Sequence, residues 1–150
     1  MGAIFALAGD IRVMADDTEI GLIESGLGIL AGAGGTQRLT RAVGTATAID
    51  LLLDGRWIDA TEATRIGLVH HVVPYDQLQV HTSRLAARLA HRSPQVTREL
   101  KRAVYDSASL STHRSMIGEA AGLIRTLTSH RETDDVGLPP IPRRASTTDR

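Results

Sequence analysis

An α/β fold is predicted for this chain of 150 residues, and three observations predict it. Residues 11–15 (IRVMA) and 68–73 (LVHHVV) read as short extended segments, one alternating and one rich in β-branched side chains. A glycine-rich stretch, GILAGAGGTQRL at 28–39, feeds what reads as the start of a helix. Three later segments carry apolar residues at helical spacing.

The elements follow in order. AIFALA at 3–8 is apolar all round and is expected to be buried whatever its shape. Ile11 to Ala15 alternates as a strand does, and Asp16-Asp17 turns the chain. Glu19 to Ile23 reads as a second extended piece. Thr36 to Val43 is predicted helical with Gly44 as its stop. Thr45 caps a helix through Leu53 that ends near Gly55. Asp59-Ala60-Thr61-Glu62 has the form of a capping box and opens a short helix ending at Gly67. Leu68 to Val73 is a predicted strand closed by Pro74. Leu78, Leu85 and Leu89 share one helical face. Pro94 interrupts that pattern and suits the first turn of a new helix, striped by Val96, Leu100, Ala103 and Val104. Met116, Ile117, Ala120, Leu123, Ile124 and Leu127 stripe a third helix. The domain organisation expected is a core over 1–91, a helical region over 92–132 and a disordered tail over 133–150, where RETDDVGLPPIPRRASTTDR has no apolar period.

Composition narrows the classes of function. Hydrophobic residues make up 42%, enough for an ordinary globular core. The formal net charge is zero, which leaves no electrostatic footprint for nucleic acid or an anionic membrane. The absence of cysteine removes disulfides, thiolate catalysis and cysteine–zinc sites together. No apolar run is long enough to span a bilayer. MGAIFALAGDIR lacks a basic n-region and meets Asp10 and Arg12 at once, so it makes a poor signal peptide and a cytoplasmic protein is expected.

The glycine stretch does not fit phosphate binding. A P-loop needs a lysine after its last glycine, and Thr36 and Gln37 stand there. A dinucleotide fingerprint needs a strand before it, and Glu24-Ser25-Gly26-Leu27 is not one. An irregular loop feeding a helix N-terminus is the plainer reading. Trp57 is assigned to the core. His70 and His71 point to opposite faces of a strand and are not assigned a metal or catalytic role. His81, His91, His113 and His130 are assigned to the surface. Arg38 and Arg41 are assigned to salt bridges within the fold in preference to a phosphate.

ALAGDIRVMADDTEIGLIESGLGILAGAGGTQRLTRAVG, continued by LLLDGRWIDATEATRIGLVHHVVP, resembles the enoyl-CoA hydratase/isomerase (crotonase) superfamily. The similarity runs without gaps from about Gly2 to Pro74 and more weakly to about residue 132. The resemblance implies a spiral of ββα units followed by helices that join subunits. It is read as covering only the C-terminal half of that architecture: a partial crotonase-type ββα spiral core with a helical oligomerisation region.

The resemblance also implies a site. It makes Glu24, eight residues before Gly32, the general acid–base, and the Gly32 amide the donor that helps hold the reacting water. A carboxylate shuttles protons, and an amide without a side chain lets the substrate carbons come close. Hydratases of the family use a second glutamate where this chain has Ile4, so Ile4 and Gly2 are taken as substrate-binding positions. A second oxyanion amide aligns with Met1. No metal and no cofactor are expected. The function expected is that of a truncated enoyl-CoA hydratase/isomerase-like protein of acyl-CoA metabolism, inactive alone and completed by a separate N-terminal half. The alternatives are a non-catalytic oligomerisation module or a decayed fragment. The partners expected are an acyl-CoA thioester, further copies of the chain, or that N-terminal half.

Overall fold

Residues 2–131 are described by a computed structural model. They divide into two units, one ending at His91 and the other beginning at Arg92.

The first unit opens with helix α1 (Gly2–Ala6) and strand β1 (Val13–Ala15). Strand β2 (Ile20–Gly21) and a 3-10 helix (Ile23–Leu27) follow, then α2 (Gly35–Val43) and α3 (Thr45–Asp54). Strand β3 (Trp57–Ile58), α4 (Ala60–Arg65), β4 (His71–Val73), a 3-10 turn (Tyr75–Gln77) and α5 (Leu78–Ala90) complete it. The strands form two pairs. β1 and β4 run parallel, with Val13 opposite His71 and Ala15 opposite Val73. β2 and β3 run antiparallel, with Ile20 opposite Ile58 and Gly21 opposite Trp57.

Local chemistry sets most of these boundaries. The Asp59 side chain accepts from the Glu62 amide at 2.7 Å, which satisfies an orphan donor of α4 and contributes about 1 kcal/mol. Arg56 then forks onto both oxygens of Glu62, at 2.7 Å each, and holds that carboxyl below the usual carboxylate range. Gly55 closes α3 in the left-handed conformation, φ 66°, with its amide on the Leu51 carbonyl. The core gathers Leu39 and Leu51, both fully buried, with Met14, Leu22, Ile58 and Leu68.

Several expectations are corrected here. The strand expected from Leu68 begins only at His71, because the amides of Leu68 and Val69 both turn back to the Ala63 carbonyl at the end of α4. The extended piece expected over 19–23 is two residues long, since Ile23 already opens the 3-10 helix. AIFALA is not buried throughout: Ile4 and Leu7 are, but Phe5 is 69% exposed on the outer side of α1. Trp57 is not core. It is 58% exposed and lies flat over Gly21, where an added Cβ would stand 2.7 Å from the indole Cδ2.

The second unit contains α6 (Pro94–Ser107) and α7 (Thr112–Arg131), which pack on each other. Pro94 occupies the first turn of α6, and Ser93 caps it by accepting from the Val96 amide. Arg125 of α7 forks onto Glu99 of α6 at 2.8 and 2.6 Å. Much of both apolar stripes, including Leu100, Val104, Ile117 and Ile124, faces outward. Among the described residues no helix is long and apolar enough to cross a membrane. The tail expected over 133–150 lies outside the described residues.

Candidate active site

Glu24 sits in the first turn of the 3-10 helix, and its Oε2 atom is buried. The chain folds back at once after this helix: the Ile29 amide donates to the Glu24 carbonyl at 3.1 Å, and Gly28 takes φ 71°. The loop that follows is built on left-handed backbone at Ala33 (φ 51°) and Gly34 (φ 76°). Its turn is closed by the Gly35 amide on the Gly32 carbonyl at 2.8 Å. Thr36 Oγ1 donates to the Ala31 carbonyl and Arg38 Nη1 to the Ala33 carbonyl, at 3.1 and 2.6 Å. Arg38 therefore braces the loop from inside the chain, where an ion pair was expected.

Gly32 lies on the open side of this loop. Nothing stands within 4 Å of where its Cβ would be. No backbone carbonyl among the described residues accepts from its amide. Ile4 lies beneath the loop and is 3% exposed. A Cβ on Gly35 would meet the Ile4 Cδ1 and Cγ1 atoms at 3.1 Å, so any side chain there would press Ile4 back by a few tenths of an ångström. Ile4 and the glycine loop are thus brought together across about thirty residues of chain.

Gly2 is elsewhere. It is exposed at the start of α1 and lines an apolar cavity of about 430 Å³ with Ala3, Ala6, Met14, Leu22 and Trp57. Glu24, Gly32 and Ile4 do not line that cavity. The oxyanion amide aligned with Met1 lies outside the described residues. Groups of three or more metal-ligating side chains are absent among the described residues.

A feature missed in the sequence is the clasp between Arg12 and His70. The Arg12 amide donates to His70 Nδ1 at 3.0 Å, the His70 amide returns to the Arg12 carbonyl at 3.0 Å, and the Arg12 side chain donates to the carbonyls of Leu68 and Gly9. No local pattern links positions this far apart. Partial loss of solvent around the exposed His70 ring, with the charge of Arg12 as a lesser cause, lowers its pKa from the ordinary value. The unfolded chain therefore takes up this proton first. The clasp's contribution to stability is complete above the unfolded histidine value of about 6.5 and is lost as pH falls towards the folded value. His70→Asn is expected to flatten the acid side of a plot of denaturant midpoint against pH. An unchanged plot would remove His70 as its cause.

The family match covers almost all of the chain. The model for enoyl-CoA hydratase/isomerase matches residues 1–137. The chain belongs to the enoyl-CoA hydratase/isomerase family. It is 41% identical over 118 residues to "Probable enoyl-CoA hydratase echA8" of Mycobacterium tuberculosis, covering 79% of this chain and 46% of that protein. It is 36% identical over 118 residues to the 2,3-dehydroadipyl-CoA hydratase of Escherichia coli, with the same coverage of 79% and 46%. An enoyl-CoA hydratase subunit I from Geobacillus kaustophilus superposes with a TM-score of 0.83 at 35% identity, over 88% of this chain and 51% of that one. An enoyl-CoA hydratase from Bacillus anthracis superposes with a TM-score of 0.78 at 34% identity, over 88% and 55%. The chain spans about half the length of the relatives it matches.

These matches correct four expectations. In place of a resemblance limited to a C-terminal half and a partial crotonase core, the family match runs over residues 1–137 and the enoyl-CoA hydratase fold over 88% of the chain. The reading of a truncated fragment, an interaction module or a decayed remnant is overturned by the same findings, which match the family along almost the whole chain. So is the partner imagined as a separate N-terminal half. The half-length reading came from setting this chain against a longer architecture, whereas the family model is matched along almost all of the chain's own residues.

Proposed function

We propose that this chain acts in the cytoplasm on an acyl-CoA thioester and moves a proton along its acyl group. Glu24 is the single acid–base, and the Gly32 amide donates beside the reacting carbons. The observation that supports this reading is a single carboxylate among the site positions, with an apolar side chain where a second would stand. Glu24 has a buried carboxylate oxygen, while Ile4, aligned with the second glutamate of resembling hydratases, is sealed under the glycine loop. The substrate class is supported by relatives whose names specify CoA-thioester hydratases.

The chemistry follows from having one acid. Adding water across a double bond calls for one group to activate the water and another to protonate carbon. Moving a double bond calls for one group only. The Glu24 carboxylate takes a proton from C2 of a 3-enoyl thioester, and the electron pair enters the dienolate. The carboxyl then returns a proton to C4, leaving the 2-enoyl product with no water consumed. Paired assays of 3-enoyl-CoA and 2-enoyl-CoA of equal chain length test this. Isomerisation is expected to outpace hydration. Hydration outpacing isomerisation, or no turnover of a thioester shown to bind, would overturn the reading.

A further inference from the structure

We propose that His71 and His81 form a two-histidine clip for a transition-metal dication of the zinc, nickel or copper kind. His71 opens β4 and is paired in the ladder with Val13 of β1. His81 stands on α5, which packs against β1. The two ring centres are 5.1 Å apart and the planes are tilted by 51°. Both residues are half-buried, and neither ring makes a side-chain hydrogen bond to a described residue. Among the described residues none hydrogen-bonds to their ring nitrogens, unlike His70, whose Nδ1 accepts from the Arg12 amide.

The spacing matches chelation. A metal–imidazole bond is about 2.0–2.1 Å, and the ring centre lies about 1.1 Å beyond the nitrogen. Two imidazoles on one ion, at right or tetrahedral angles, then have centres about 4.5–5.2 Å apart. The observed separation falls in that range. A strand and a helix each hold one ring, so little side-chain freedom is lost on binding. No third His, Asp or Glu among the described residues joins the pair, so water fills the remaining positions. The clip would tie β4 to α5 only in the folded chain, and the ion would therefore raise stability by linkage.

The experiment uses the whole chain without an affinity tag. Thermal unfolding is followed with ZnCl2, with NiCl2 and with a chelator. Metal is expected to raise the melting temperature. His71→Phe and His81→Phe, which keep a ring without its nitrogens, are each expected to abolish the rise, and His70→Ala to retain it. Electron paramagnetic resonance of the Cu²⁺-loaded wild-type chain supplies a readout independent of any variant, with coupling to two imidazoles expected. A metal-induced rise that survives both phenylalanine variants would overturn the proposal. So would coupling to fewer than two imidazoles, or no metal effect at all.

Discussion

Glu24→Gln is expected to slow conversion of a 3-enoyl-CoA to its 2-enoyl isomer by about 10²–10⁴-fold, the usual contribution of a positioned general acid–base. The substitution keeps the shape and a polar tip but leaves nothing that can take a proton. Glu24 lies in the first turn of a 3-10 helix, and the chain folds back over it through the Ile29 amide on the Glu24 carbonyl. That backbone bond does not involve the side chain and is kept in the variant, whose fold is checked by circular dichroism. The measurements are kcat for isomerisation and the dissociation constant for a non-reacting acyl-CoA. A fall in kcat with the dissociation constant unchanged assigns the proton transfer to Glu24. Retention of kcat would remove Glu24 from the chemistry and return the carboxylate to a structural role.

Leu39→Ala is expected to cost about 2–5 kcal/mol of stability. Leu39 has no exposed surface and stands one turn into α2, directly after the glycine loop. Its removal leaves a cavity among Leu51, Ile58, Ala63 and Leu68, all themselves buried. The check is a denaturant titration, in which the midpoint falls while the slope is unchanged. A loss below about 1 kcal/mol would mean that the surrounding helices close over the gap.

Much of the helical framework was legible in the sequence, because local chemistry punctuates it. Gly44, Gly55, the Asp59–Glu62 cap and Pro94 each mark a boundary by a conformation or a hydrogen bond made within a few residues. Burial was less legible. Apolar runs such as AIFALA do not say which side faces out, and Phe5 faces solvent. Trp57 was misassigned because its place depends on Gly21, a partner across a strand pair too short to leave a period of its own. The candidate site was legible only through family resemblance. Ile4, Glu24 and Gly32 lie on separate elements, and nothing in their spacing alone predicts that Ile4 packs under the loop. The Arg12–His70 clasp and the His71–His81 pair left no signal, since each joins segments that meet only after folding.

The placement of Trp57 has an optical consequence. It is the chain's one tryptophan, so fluorescence excited at the red edge of indole absorption comes from a single place. Its ring rests on Gly21 with one side shielded by β2 and much of its surface open to water. If β2 peels away from β3, the indole loses that shield and its emission shifts to longer wavelength, without waiting for the helices to melt. The native chain thus carries a built-in dye at the rim of the cavity beside α1, and its colour reports the state of the β2–β3 pair before circular dichroism registers any loss of helix.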